Sequence, residues 1–316
     1  MWVALRAYIT GFGFFGDGLN FSYGKADNVK LYMVETPDGV MNIKEVVNRI
    51  GKRKGKGNFR LVIRQVEVSD VALRIERLEH RNPDFGVDYG NMYLYDMNGN
   101  VDDLTIAGSS VAGDIERFSF TERSGFVAEG LTGSFRVDRG LIDLRNLDIA
   151  TSRSSVHLEK LILAGGDWSA YRDFVDNVRI DAVVHNTVLS SDDVGYFSPR
   201  LRSWHLRLDG LDMNMAGPVS DFTGNISDVR IDGVGRLSAG VSAAGLPDLR
   251  NTDFSIDLRH LDLNVGELER LAGNIAGVEL PQRVIDIVRR AGRLGLTSKF
   301  AGIPSSFRTH GTLSTS

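Results

Sequence analysis

Apolar and polar residues alternate along much of this chain, lose one beat, and then resume. The template apolar-x-apolar-x-x-apolar-x-apolar occurs at Val66/Val68/Val71/Leu73, Ile142/Leu144/Leu147/Ile149, Val156/Leu158/Leu161/Leu163, Leu206/Leu208/Leu211/Met213 and Ile256/Leu258/Leu261/Leu263. Alternation with period two reads as β-strand with one apolar and one polar face. Two devices keep the apolar side chains together across the three-residue step. A two-residue hairpin puts the flanking residues opposite each other, and Asp209-Gly210 suits such a turn. A β-bulge adds one residue and restores the face while bending the strand. Arg145-Asn146, Glu159-Lys160 and Arg259-His260 are poor turn pairs and read as bulges. Under either device the apolar face survives the bend, and a sheet bent repeatedly toward its apolar face is a trough. The expected fold is mainly β: an elongated, curved antiparallel β-sheet forming a hydrophobic groove, with a few short helices.

Further strands are expected at Phe59/Leu61/Ile63, Phe118/Phe120, Phe135/Val137 and Val178/Ile180. Helical spacing marks Ile43, Val46, Val47 and Ile50 behind an Asn42 N-cap, with Glu45 three residues on. It recurs at Leu268, Leu271, Ala272 and Ile275, and at Val284, Ile285 and Val288 between Pro281 and Gly292. Trp168, Tyr171, Phe174 and Val175 form a weaker case. No linker divides the 316 residues. The chain reads as one segment of a larger protein, with residues 1–58 a strand and helix, 59–265 the groove strands, and 266–316 a helical crossover and the next strand.

Lys and Arg number 37 against 41 Asp and Glu, and this net charge of −4 disfavours nucleic acid as a partner. With no cysteine, disulfides and thiolate metal sites are excluded. No apolar run reaches the roughly 20 residues of a transmembrane helix.

Sites for chemistry are sparse. Gly11, Gly13 and Gly16 match G-x-G-x-x-G, but without a strand-helix unit the stretch reads as an irregular aromatic strand. Asp96–Asp103 resembles a calcium loop that lacks its central glycine and distal Glu, so Asn98-Gly99 reads as a hairpin turn. Lys52, Arg53, Lys54 and Lys56 read as a solvated loop rather than a site for anionic headgroups. The six histidines, His80, His157, His185, His205, His260 and His310, lack metal-ligand spacing, and His157, His205 and His260 fall on the polar phase. Asp209, Asp212 and Asp262 share that phase. No nucleophile-base order emerges, which counts against an enzyme; no metal and no cofactor are expected.

Several segments, in order, resemble the TamB family, relatives of the AsmA group and of bridge-like lipid transfer proteins. They are "VKLYMVETPDGVMNIKEVVNRI", "FTERSGFVAEGLTGSFRVDRGLIDLRNLDIATSRSSVHLEKLIL", "LSSDDVGYFSPRL", "GVGRLSAGVSAAGLPDLRNTDFSIDLRHLDLNVGELERL" and "LPQRVIDIVRRAGRLGLTSKFAGIPSSFRTHGTLST", the last with Phe300, Gly302 and Phe307. The resemblance implies an internal, N-terminal-half segment of the Bacteroidetes type. Family proteins are several times longer, and neither their membrane anchor nor their C-terminal domain lies in this chain.

What the resemblance implies is a periplasmic protein anchored in the inner membrane and reaching an outer-membrane barrel protein of the TamA/BamA type. Its β-groove would carry phospholipid between the two membranes, assist outer-membrane protein assembly, or both. The partners expected are phospholipid acyl chains, the barrel protein and the remainder of its own chain. Parity assigns the groove floor to Phe59, Leu61, Ile63, Leu144, Leu158, Trp204, Leu206, Leu208, Leu211, Met213, Ile256, Leu258, Leu261 and Leu263. The rival reading is a structural or adhesive β-module, such as a β-solenoid, in which the same residues make a closed dry core. A polysaccharide-active β-helix enzyme ranks third, because the strand carboxylates share the outward phase.

Overall fold

The computed structural model describes residues 6–15, 18–35, 37, 42, 60–78, 83–246, 248, 250–264 and 293–315. The described chain is mainly β. Its strands are β1 (Arg6–Phe15), β2 (Gly18–Asp27), β3 (Lys30–Val34), β4 (Arg60–Glu76), β5 (Asn91–Ala107), β6 (Ser110–Glu122), β7 (Val127–Asp138) and β8 (Leu141–Ala150). They continue with β9 (Ser155–Ala164), β10 (Arg179–Ser190), β11 (Arg207–Gly217), β12 (Asp221–Ile231), β13 (Gly235–Ala244), β14 (Asp253–Asn264), β15 (Arg293–Ile303) and β16 (Ser306–Thr315). All belong to one open sheet running in chain order from β1 to β16, with β3 beside β4 off that path. β1 and β2, and chain neighbours from β4 onward wherever register is defined, pair antiparallel, while β2 and β3 both run parallel to β4. Residues 42–50, 266–275 and 281–292, expected as helices, lie outside the described residues except for Asn42, as does the basic run at 52–56.

Short helices sit between strands. A 3₁₀ segment (Trp168–Asp173) leads into α1 (Phe174–Asn177), where the aromatic spacing predicts helix. α2 (Ser191–Phe197) and α3 (Pro199–Arg202) follow β10. The Ser190 hydroxyl accepts from the Asp192 amide, and Pro199 stands at the first turn of α3.

The chain divides into two compact units: Met1–Arg139 with Asn146–Ser152, and Gly140–Arg145 with Arg153–Ser316. In each, every lost beat of the sequence falls inside one strand. Asp209-Gly210 lies within β11, which runs on through it, and Gly210 takes φ 65°. It is a bulge and not a hairpin. Asp70 in β4, Asp96 and Asp103 in β5, Asn146 in β8 and Asn186 in β10 also take positive φ, between 47° and 52° for the first four and 40° for Asn186. Asp and Asn tolerate this left-handed region better than other side chains.

Most of these bulges are matched by one on the facing strand. β10 contributes an extra residue between Val184↔Met213 and Thr187↔Leu211, and β11 contributes one before Leu189↔Leu208. The pairing thereby returns to its original register. The same exchange occurs between β4 and β5, β6 and β7, β9 and β10, and β11 and β12. Amides pushed off the ladder find side-chain acceptors: Asp70 N donates to Asn98 Oδ1 at 3.0 Å, and Asn186 N to Asp212 Oδ1 at 2.9 Å. Arg259 in turn donates to the Ile226 carbonyl at 2.7 Å.

This corrects the turn expected at Asn98-Gly99, which lies in the middle of β5. The Asn-Gly pair serves a bulge, since Asn98 also donates to the Asp96 carbonyl at 2.9 Å. A Cβ on Gly99 would overlap the Arg117 carbonyl oxygen on β6.

Candidate functional site: the apolar face of the sheet

Register decides which side chains share a face, because directly opposed residues point the same way. In the second unit one row runs Leu161, Ala182, Met215, Gly224, Val241, Ile256, Phe300. The next runs Leu158, Val184, Met213, Ile226, Ala239, Leu258, Ser298. Beyond the bulges, Val229, Leu237, Leu261, Leu296 and Leu313 continue it. The opposite face carries Val183, Asn214, Asn225, Gly240, Asp257, Lys299 and His310 in one row. Ion pairs sit there, Lys160 to Asp181 at 2.7 Å and Lys299 to Asp257 at 4.0 Å.

The apolar face is not a tightly enclosed core. The largest wholly buried side chains among the described residues are Val29, Val178, Val229, Val234, Thr187 and Thr252. Leu211 and Leu258 come closest among the larger floor residues, at 5% and 8% exposed. Leu158, Leu208, Met213, Ile256 and Leu261 are half-buried. At the outer strand β16, Phe307 and Leu313 are 57% and 62% exposed, with the Phe307 ring 6.4 Å from that of Phe300.

The floor residues expected from parity fall in different places. Leu158, Leu208, Leu211, Met213, Ile256, Leu258 and Leu261 share the second unit's apolar face, and the backbone of Leu263 pairs with that of Gly235. Leu144 stands on β8, half-buried. Leu61 and Ile63 belong to the first unit, where β4 sets them opposite Ile106 and Leu104. Phe59 lies outside the described residues. Trp204 and Leu206 are not on a strand. β11 begins only at Arg207, because His205 at φ 49° breaks the extended run. Leu206 N donates to Ser191 Oγ at 2.8 Å, and its carbonyl accepts from Ser191 N.

Among the described residues, Leu206 borders a polar cleft of about 260 Å³, with Ser190, Asp192, His205, Arg207 and Asp232. His205 Nδ1 stands 3.5 Å from Asp192 Oδ1, and Arg207 is held by Asp209 at 3.1 Å and by the Arg153 carbonyl at 3.0 Å. These contacts complete one another and set up no nucleophile, base and acceptor in sequence. Among the described residues no cluster of three or more His, Asp or Glu could hold a metal ion.

Two features escaped sequence reasoning. The α2–α3 pair was readable from Ser190 followed by Asp193 and from Pro199. The other is the Glu159–His185–Asp212 contact across three strands, which depends on register and so has no local signal.

Among the described residues no helix is long and apolar enough to cross a membrane. Comparison with protein-family models, with curated proteins and with solved structures returns no match.

Proposed function

We propose that the apolar face of the second unit holds lipid acyl chains, in a protein of envelope biogenesis. The observation that carries the reading is the set of register-matched apolar rows whose large side chains are mostly half-buried, with the charges on the other face. A sheet apolar on one face needs a covering layer. Acyl chains supply one without any specific polar site, at about 0.8 kcal/mol for each buried CH₂. The bulges support a curved groove, since each bends its strand while keeping the face. The resemblance to the TamB family points the same way. On it rest the finer parts of the proposal: a periplasmic setting, an inner-membrane anchor, a barrel partner of the TamA/BamA type, and passage of phospholipid or assistance to outer-membrane protein assembly without catalysis.

The test is a benzophenone side chain placed at Met213 and, separately, at its outward neighbour Asn214, followed by mass analysis of adducts formed in bacterial cells. Phospholipid captured at Met213 and not at Asn214 is the expected result. A folded protein that captures lipid at neither position, or equally at both, overturns the reading; in the first case a closed, dry structural module replaces it.

A further inference from the structure

Where a strand bulges its ladder hydrogen bonds stop, and other groups must tie it to its neighbours. Pairing of β10 with β9 is interrupted between Val184 and Val188, and with β11 on both sides of Thr187. Side chains fill the gap. His185 Nε2 lies 2.8 Å from Glu159 Oε2 on β9, and its Nδ1 lies 3.4 Å from Asp212 Oδ1 on β11. That Asp212 oxygen also accepts the Asn186 amide, and Thr187 Oγ1 accepts the His157 amide at 2.9 Å. One imidazole thus spans three strands at their bulges. Only the imidazolium donates from both ring nitrogens; the neutral ring turns a lone pair toward one carboxylate.

We infer that His185 is a pH-responsive clasp that ties β9, β10 and β11 together at the bulges when protonated and loosens them when it loses its proton. The inference does not rest on the lipid reading. Two charged neighbours of these carboxylates are already engaged. Lys160 beside Glu159 is paired with Asp181, and Asp228, directly opposite Asp212 on β12, has Arg236 at 3.7 Å. The hydrogen bond to Glu159, and after it that to Asp212, raises the His185 pKa above its ordinary value against a smaller opposing effect of desolvation. A raised folded value means the clasp is complete below the unfolded value of about 6.5 and is lost as pH rises through the folded one.

Amide hydrogen exchange of the whole chain, read by mass spectrometry and corrected for intrinsic rates, tests this between about pH 6 and pH 8.5. Opening of the segment around Asn186 is expected to increase severalfold across that range in the native chain and to stay flat in His185→Gln. Independently, NMR titration of the His185 ring is expected to move to lower pH in Glu159→Gln and in Asp212→Asn. Equal pH dependence in the native chain and His185→Gln overturns the inference, and so does a His185 titration that neither carboxamide variant shifts.

Discussion

Gly210 offers the sharpest test of how the lost beat is built. Its φ of 65° is left-handed, and a Cβ added there would meet only Asn186 Oδ1, at 4.0 Å. Space is therefore not the obstacle, and backbone handedness sets the cost. A left-handed conformation costs an L-residue roughly 1–2 kcal/mol. Gly210→Ala also stiffens the unfolded chain, but where φ is positive that gain is outweighed. The expected net loss for alanine is about 1 kcal/mol, smaller for Gly210→Asn, and larger for the β-branched Gly210→Val. Because the chain forms two units, a single unfolding midpoint blends both, and local hydrogen exchange is the better assay. Amides of β11 that open locally should exchange about 5-fold faster in Gly210→Ala and up to 30-fold faster in Gly210→Val. Gly99→Ala is a steric contrast: its Cβ overlaps the Arg117 backbone, and its penalty should exceed that of Gly210→Ala. If Gly210→Ala and Gly210→Val exchange like the native chain, or if asparagine is the worst of the three, Gly210 is not left-handed and the bulge assignment fails.

Deleting Gly210 leaves Leu208 and Leu211 two residues apart on one face but removes the residue that cancels the extra one in β10, so the pairing beyond Thr187↔Leu211 shifts by one place; the deletion should cost more than Gly210→Asn, and equal amide exchange in β11 for the two would refute the matched bulges. Ser154 is 6% exposed, donates to Asp193 Oδ2 at 2.6 Å and accepts the Ser190 amide at 3.0 Å. Ser154→Ala should therefore cost roughly 1–3 kcal/mol and speed amide exchange in α2 first. In the first unit, Lys25 and then Tyr23 hydrogen-bond to Glu67 and hold its carboxyl below the usual range. That contribution is present above the unfolded value of about 4.3 and is lost as pH falls through the lower folded value; Glu67→Gln should remove this acid-side dependence from amide exchange in β4.

The lost beats were legible in the sequence because a bulge leaves a local mark: the parity of the apolar residues changes. Asn98-Gly99 carries the same local mark as a hairpin, and only the distant Asp70 amide, held by Asn98 Oδ1, decides between the two. Local pattern misled in the opposite sense at Trp204 and Leu206. Their spacing continues that of Leu208, yet Ser191 takes both backbone groups of Leu206 before β11 begins. The candidate site was legible as a set of apolar positions but not as rows. Which leucine stands opposite which methionine is fixed by pairing across tens of residues, and no alternation records it.

Matching between strands explains why the skips recur instead of occurring once. An extra residue in one strand keeps the face but shifts its pairing by one place, so that every later residue meets a different partner. An extra residue in the partner cancels the shift, as Leu189↔Leu208 restores the register of Val184↔Met213. The partner has a second neighbour, however, and faces the same problem there. β11 answers β10 on one side and β12 on the other, where Asp212↔Asp228 lies between Asp209↔Arg230 and Met213↔Ile226. A single bulge thus propagates sideways as a row until some strand absorbs it. The bulges lie side by side across the strands, and apolar rows stand on both sides of them. Acyl chains lying against such a face would meet no inward-turned charge at the bulges, and this is the physical link between the recurring skip and the proposed function.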